Sequence, residues 1–146
     1  MKHTFLFEQG AWRASGRFTD DSGGEFEIEG RSEITHEGGI WLNRSWMRLR
    51  TEPPFSIENI YEIAPFKNGA MMTTWTSHNP AFGELSGTFD VEGNTITSRY
   101  ASEDQKVRGF ETVNMLDEDT YRGRGEVYIE GKLTSSWTVT LERLLS

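Results

Sequence analysis

Turn-forming residues punctuate this chain at short, regular intervals, and nothing between them carries helical periodicity of useful length. The turn signals are "DDSGG" at 20–24, "EGG" at 37–39, "TEPP" at 51–54, "KNG" at 67–69 and "NPAFG" at 79–83. They continue with "EGN" at 92–94, "EDQ" at 103–105, "DED" at 117–119 and "EGK" at 130–132. The runs between them are rich in Thr, Ile, Val, Tyr, Phe and Trp, residues that suit a pleated, half-buried surface. This spacing predicts an all-β chain, an antiparallel up-and-down meander of about ten strands. The 146 residues suffice for one sizeable core and fall short of two, so a single domain over 1–146 is expected.

A meander with one buried face must close into a barrel or fold into a sandwich, because an open edge invites pairing with other chains. An even strand number matters here. It returns the last strand to the barrel end at which the first began, and makes Trp12 of "EQGAWRASGRF" a neighbour of Arg143 in "SSWTVTLERL". The plainer reading leaves Trp12 as an ordinary core aromatic and Arg143 as a surface charge.

Registers follow from individual turns. A two-residue turn at Gly38-Gly39 pairs Glu33 with Arg44, Arg31 with Trp46, Glu29 with Arg48 and Glu27 with Arg50 on one face. The other face pairs Ile28 with Leu49, Gly30 with Met47, Ser32 with Ser45, Ile34 with Asn43 and His36 with Trp41. The charged face belongs outside, so "RSWMRLR" at 44–50 reads as a salt-bridge ladder rather than an anion-binding patch. A turn at Glu92-Gly93 sets Leu85 opposite Tyr100, Gly87 opposite Ser98 and Phe89 opposite Ile96. "KNG" has the composition of a type I′ turn, which would put Tyr61 and Trp75 on opposite faces. Which face of 56–66 and 70–78 points inward stays open.

Composition excludes several function classes. A net charge of −8 repels phosphate backbones and anionic membrane surfaces, so neither nucleic acid nor membrane is an expected partner. With no cysteine there can be no disulfide, thiolate zinc site or cysteine nucleophile. The apolar run Phe5-Leu6-Phe7 is too short for a signal peptide, and the cytoplasm is the expected location. No G-x-S-x-G, phosphate-cradling glycine loop, H-E-x-x-H or calcium loop is present. His3, His36 and His78 fit no metal spacing, so no metal is expected. The 23 acidic residues fall in turns or alternate outward, as Glu25, Glu27 and Glu29 do, and read as solvated.

The meander also assigns the two barrel ends. Turns at 37–39, 67–69, 92–94 and 117–119 share the Trp12 end, where His36 and Trp41 are core residues. The loops at 20–24, 51–55, 79–83, 103–105 and 130–132 share the other end, and two of them carry Phe55 and Phe82 beside prolines. A pocket mouth belongs there. Asn59, Tyr61, Thr76, His78 and Tyr100 line the lumen below it, given one inward choice for the fourth and fifth strands; the alternative is a filled lumen with His78 on the surface.

Gly10-Ala11-Trp12 resembles the G-x-W signature that opens lipocalin and other calycin barrels, and Arg143 resembles the late-strand arginine that packs on that tryptophan. The stretches "IYEI", "TTWTSHN", "LSGTFDVEGNTIT" and "DEDTYRGRGEVYIEGK" also resemble a domain-of-unknown-function family of small bacterial proteins with calycin-like barrels. The resemblance implies a fold more than an activity. Nitrobindin-type barrels are similar too, but they hold haem through a histidine in the C-terminal half, and this chain has none after His78. No cofactor is therefore expected.

The function expected from these residues is binding of a small, apolar or amphipathic molecule in the barrel by Phe55, Asn59, Tyr61, Thr76, His78, Phe82 and Tyr100. Two alternatives stand beside it. One is a small enzyme, an isomerase, cyclase or hydrolase, with His78 as general base. The other is a homodimeric interaction module with a filled barrel.

Overall fold

Gly38 takes φ +61°, the positive angle that a two-residue hairpin needs at its first central position. It joins β2 (Glu25–Glu37) to β3 (Ile40–Leu49) in the expected register, with Ile28 opposite Leu49 and Glu29 opposite Arg48. The charged face is the outer one: Arg48 meets Glu29 at 3.3 Å and Arg50 meets Glu27 at 3.4 Å. Two details differ from the expected ladder. Arg44 bridges Glu37 rather than its cross-strand partner Glu33, and Arg48 rather than Arg31 covers the Trp46 ring. Exposed pairs of this kind each contribute at most about 1 kcal/mol.

In this computed structural model residues 2–80 and 82–145 are described; Ala81, inside the expected 79–83 turn, lies outside them. β6 (Gly83–Glu92) and β7 (Thr95–Ser102) turn at Gly93-Asn94, not at Glu92-Gly93. Gly93, with φ +58°, occupies the position that a glutamate would resist. The pairing therefore moves by two residues, so that Gly87 faces Tyr100 and Phe89 faces Ser98. A shift of two leaves the same side chains inside.

β4 (Phe55–Ile63) and β5 (Met72–Asn79) settle the choice of inward face. "KNG" does turn the chain: Ala70 N–H donates to the Lys67 carbonyl at 2.8 Å, and Gly69 takes φ +80° as a type II turn requires. That turn sits inside the longer connection 64–71, so it does not set a tight hairpin register. Tyr61 pairs with Ser77 and Ile63 with Trp75, one residue away from the two-residue-turn alignment. A slip of one flips every side chain. Tyr61 and Trp75 both point inward and touch edge to face at 5.2 Å, while Thr76 and His78 are exposed on the outer face. Their expected place in the lumen is thereby corrected.

With β1 (Gly10–Asp20), β8 (Val107–Asp117), β9 (Thr120–Ile129) and β10 (Lys132–Leu144), the strands form a closed antiparallel barrel. Each strand pairs with its sequence neighbours, and β1 closes the ring on β10. The seam between β4 and β5 is the shortest; beyond Tyr61–Ser77, toward the loop end, Asn79 Nδ2 donates to Asn59 Oδ1 at 3.0 Å.

The Trp12 end is sealed by residues 3–9, a role the sequence reading did not assign to them. Phe5 and Leu6 are buried, and Phe5 meets the Trp12 ring edge to face at 5.5 Å. Tyr121 is fully buried beneath them, and its phenol oxygen accepts from Thr4 N–H at 3.1 Å and Phe5 N–H at 3.3 Å. The Gly93 carbonyl can only accept, so His3 Nε2 carries the proton it shares at 2.8 Å. In the neutral ring Nδ1 then accepts from the Tyr121 hydroxyl, also at 2.8 Å. On the same floor His36 stacks on Trp41 at 4.1 Å and donates from Nε2 to the Leu6 carbonyl.

Candidate functional site: the barrel lumen

Strand β8 alternates Val107, Gly109, Glu111, Val113 and Met115 toward the interior, which places one carboxylate among apolar residues. Glu111 lies between Ser98 of β7 and Gly125 of β9, and its Oε2 accepts the Trp137 indole N–H at 3.1 Å. Burial pushes the carboxyl up to about 7, with the indole hydrogen bond pulling the other way. No ion pair among the described residues involves Glu111.

Aromatic side chains surround it. Trp75 lies 5.2 Å from Tyr61, 5.4 Å from Tyr100 and 5.9 Å from Phe89, with its own N–H donated to Ser98 Oγ at 3.1 Å. Burial raises the Tyr61 and Tyr100 phenols well above their ordinary value, and the nearby Glu111 charge raises them further. Both remain neutral hydroxyls at physiological pH.

Glycines decide where these rings lie. Gly109 has no room for a β-carbon because the Tyr100 ring occupies that space, and Gly125 gives its space to the Trp137 ring. At Gly87 the space is taken by the Arg99 carbonyl oxygen, the Tyr100 Cβ and the edge of the Trp75 ring. The rings therefore lie against the wall instead of projecting across the lumen. Glu111, Tyr61, Tyr100 and Trp137 face inward yet are not fully occluded, so they border accessible space.

Several polar groups here lack an internal partner. Asn43 and Ser77 flank Tyr61 on the adjoining strands, at 8% and 6% exposure. Asn43 Oδ1 and Ser77 Oγ make no hydrogen bond, and neither phenol oxygen of Tyr61 or Tyr100 is paired within the described residues. An unsatisfied buried polar atom costs about 1–3 kcal/mol, so such a group implies water or a ligand.

Of the residues picked from sequence, the structure brings Asn59, Tyr61 and Tyr100 to the inner face. Phe82 packs against the core at the loop end, and Phe55 stands at that same end, 53% exposed. Thr76 and His78 are outside the wall, so His78 cannot serve as a base in the lumen. The residues missed were Glu111, Asn43, Ser77, Trp75 and Trp137. The alternation of "VRGFETVNM" already carried the Glu111 signal, since Glu111 shares parity with Val107, Val113 and Met115. Among the described residues no group of three or more His, Asp or Glu is arranged to hold a metal. Depressions on the outer wall are bordered by Arg17, Glu27, Glu29 and Arg50, much of it the exposed salt-bridge ladder already described.

No protein-family model matches the chain, and no curated protein matches it. Solved structures do. The S-type phycobiliprotein lyase CPES from Guillardia theta aligns with a TM-score of 0.67 at 11% identity, covering 97% of this chain and 92% of that one. Rv2717c from M. tuberculosis aligns with a TM-score of 0.66 at 15% identity, covering 94% and 92% respectively. The fold is a calycin-like barrel. At such identities the likeness carries the architecture alone. What this barrel does must come from its own lumen.

Proposed function

We propose that the barrel binds a small, largely apolar molecule in its lumen, with a polar group of that molecule reaching Glu111, Tyr61, Tyr100, Asn43 and Ser77. The supporting observation is the pair of buried, unpartnered atoms Asn43 Oδ1 and Ser77 Oγ beside two unpaired phenols, set in an aromatic wall. A core that merely filled space would carry apolar groups there. Asn59, Tyr61 and Tyr100 keep the ligand-binding role read from the sequence, and Phe55 and Phe82 form the rim. Thr76 and His78 drop out of the set.

Titration with the uncharged dye N-phenyl-1-naphthylamine tests this reading. Saturable, one-to-one emission enhancement is expected, weakened by Phe82→Ser at the rim and by Ser77→Leu inside. Absence of binding, or binding indifferent to both substitutions, overturns it.

Glu111 supports one second reading, because a carboxyl titrating near 7 is suited to move protons at neutral pH. An isomerase or hydrolase working in this lumen would lose turnover in Glu111→Gln while still binding substrate. Turnover unaffected by that change would dismiss the enzyme reading for this site.

A further inference from the structure

The lumen is rich in acceptors and, among the described residues, no lysine or arginine side chain faces into it. Glu111 ends in a carboxylate, Asn43 offers an unpaired carbonyl oxygen, and Ser77, Tyr61 and Tyr100 offer hydroxyl oxygens. Seven ion pairs of the described residues engage arginines, and all of them lie on the outer face or at the sealed end. Electron-rich faces complete the arrangement: Trp75 touches both Tyr61 and Tyr100, and the Tyr100 ring fills the space that Gly109 leaves free. Aromatic rings attract a cation through their quadrupole by about 0.5–1 kcal/mol when exposed and about 2 when desolvated.

We propose that the lumen selects a cationic head, a quaternary ammonium or protonated amine on an apolar body, seated between the Glu111 carboxylate and the faces of Tyr61, Trp75 and Tyr100. This rests on the lumen-binding reading above. A buried carboxylate without a basic partner is costly by itself, and a cationic ligand supplies the missing charge. The acceptors Asn43 Oδ1 and Ser77 Oγ suit the N–H donors of an amine; an anionic head would have only the hydroxyls and the asparagine NH2 groups as donors and would be repelled by the Glu111 carboxylate. The chain's net charge of −8 also draws cations toward the protein.

The groups that face Glu111 are Ser98 and Tyr100 from β7, Gly125 from β9, Trp137 from β10 and Tyr61 from β4. Of these only the phenols titrate, and both stay neutral through the range in which Glu111 ionises. A ligand of fixed charge therefore reports the carboxylate alone.

Equilibrium dialysis with three matched probes tests the proposal: (4-phenylbutyl)trimethylammonium, 5-phenylpentanol and 5-phenylpentanoate. At about pH 8 the ammonium should bind about ten-fold tighter than the alcohol, and the carboxylate weakest. The ammonium's advantage should shrink at about pH 6, where Glu111 holds its proton. Glu111→Gln keeps a carbonyl acceptor for the Trp137 indole, and a thermal melt confirms its fold. That variant should bind ammonium and alcohol with equal affinity. Equal binding of ammonium and alcohol by the unmodified protein overturns the cation selectivity and leaves lumen binding standing. An ammonium preference that survives in Glu111→Gln also overturns it, and failure of all three probes to bind overturns both.

Discussion

Arg143 lies over the face of Trp12, its guanidinium carbon 5.3 Å from the ring centroid, and the two are direct partners across the β1–β10 seam. The same arginine donates to the Glu118 carbonyl at 2.8 Å and pairs with Glu8 and Asp119 at 3.2 Å. One side chain thus ties the last strand to the first, to the segment before it and to the β8–β9 turn. Trp12 beneath it is 1% exposed.

Trp12→Ala should therefore cost about 3–5 kcal/mol, the range for truncating a buried large aromatic. Arg143→Ala should cost less, and the double mutant should depart from additivity by more than about 0.5 kcal/mol. Urea denaturation of the four proteins in the cycle measures this coupling. Strictly additive losses would contradict an energetic link between the two.

Tyr121→Phe removes the oxygen shared by His3 and the Thr4 and Phe5 amides. Leaving those buried groups unpaired should cost about 1–3 kcal/mol. Hydrogen exchange should show lost protection at Thr4 and Phe5 while the amides of β6 and β7 keep theirs. Unchanged exchange at Thr4 and Phe5 would mean that the phenol does not hold the seal.

The Glu111 carboxyl keeps its proton up to about pH 7 in the folded state, against 4.5 as the ordinary value. The folded protein thus binds more protons than the unfolded one in that window. Stability from this group is complete below about 4.5 and is lost as pH rises through about 7. Glu111→Gln does not titrate, so its stability relative to the parent should rise by about 2–3 kcal/mol between about pH 4 and about pH 8. Parallel denaturation curves at the two pH values, with a constant difference between the proteins, would show that Glu111 titrates normally.

Gly109→Ala puts a methyl group where the Tyr100 ring now lies. Displacing that ring should cost about 1–3 kcal/mol. Tyr100→Ala in the same chain should relieve part of the strain, making the pair less damaging than the sum of the two changes. A double mutant as unstable as that sum would show that the glycine serves something other than the ring.

Much of the barrel is legible in the sequence because turn chemistry and strand alternation are local. Gly38 at its positive φ aligned β2 with β3 residue for residue, and an even number of strands brought Trp12 to Arg143. Where a turn moved by one residue, as at Gly93-Asn94, the pairing shifted by two and the faces survived because the side-chain period is two. Part of the candidate site was legible as well: Asn59, Tyr61 and Tyr100 do face inward.

Two things depended on the closed barrel. The parity of β5 hung on the connection 64–71, whose length lets Tyr61 meet Ser77 instead of Thr76 and sends His78 outside. Local turn preference cannot fix that parity, since the type II turn at Asn68-Gly69 sits inside a longer loop that is free to add a residue. The lumen's chemistry was hidden for a different reason. In the sequence Glu111 is one of 23 acidic residues. Only closure of the ring brings the Trp137 indole, the Tyr61 and Tyr100 phenols and the space yielded by Gly109 and Gly125 around it, and desolvation by those distant strands raises its proton affinity.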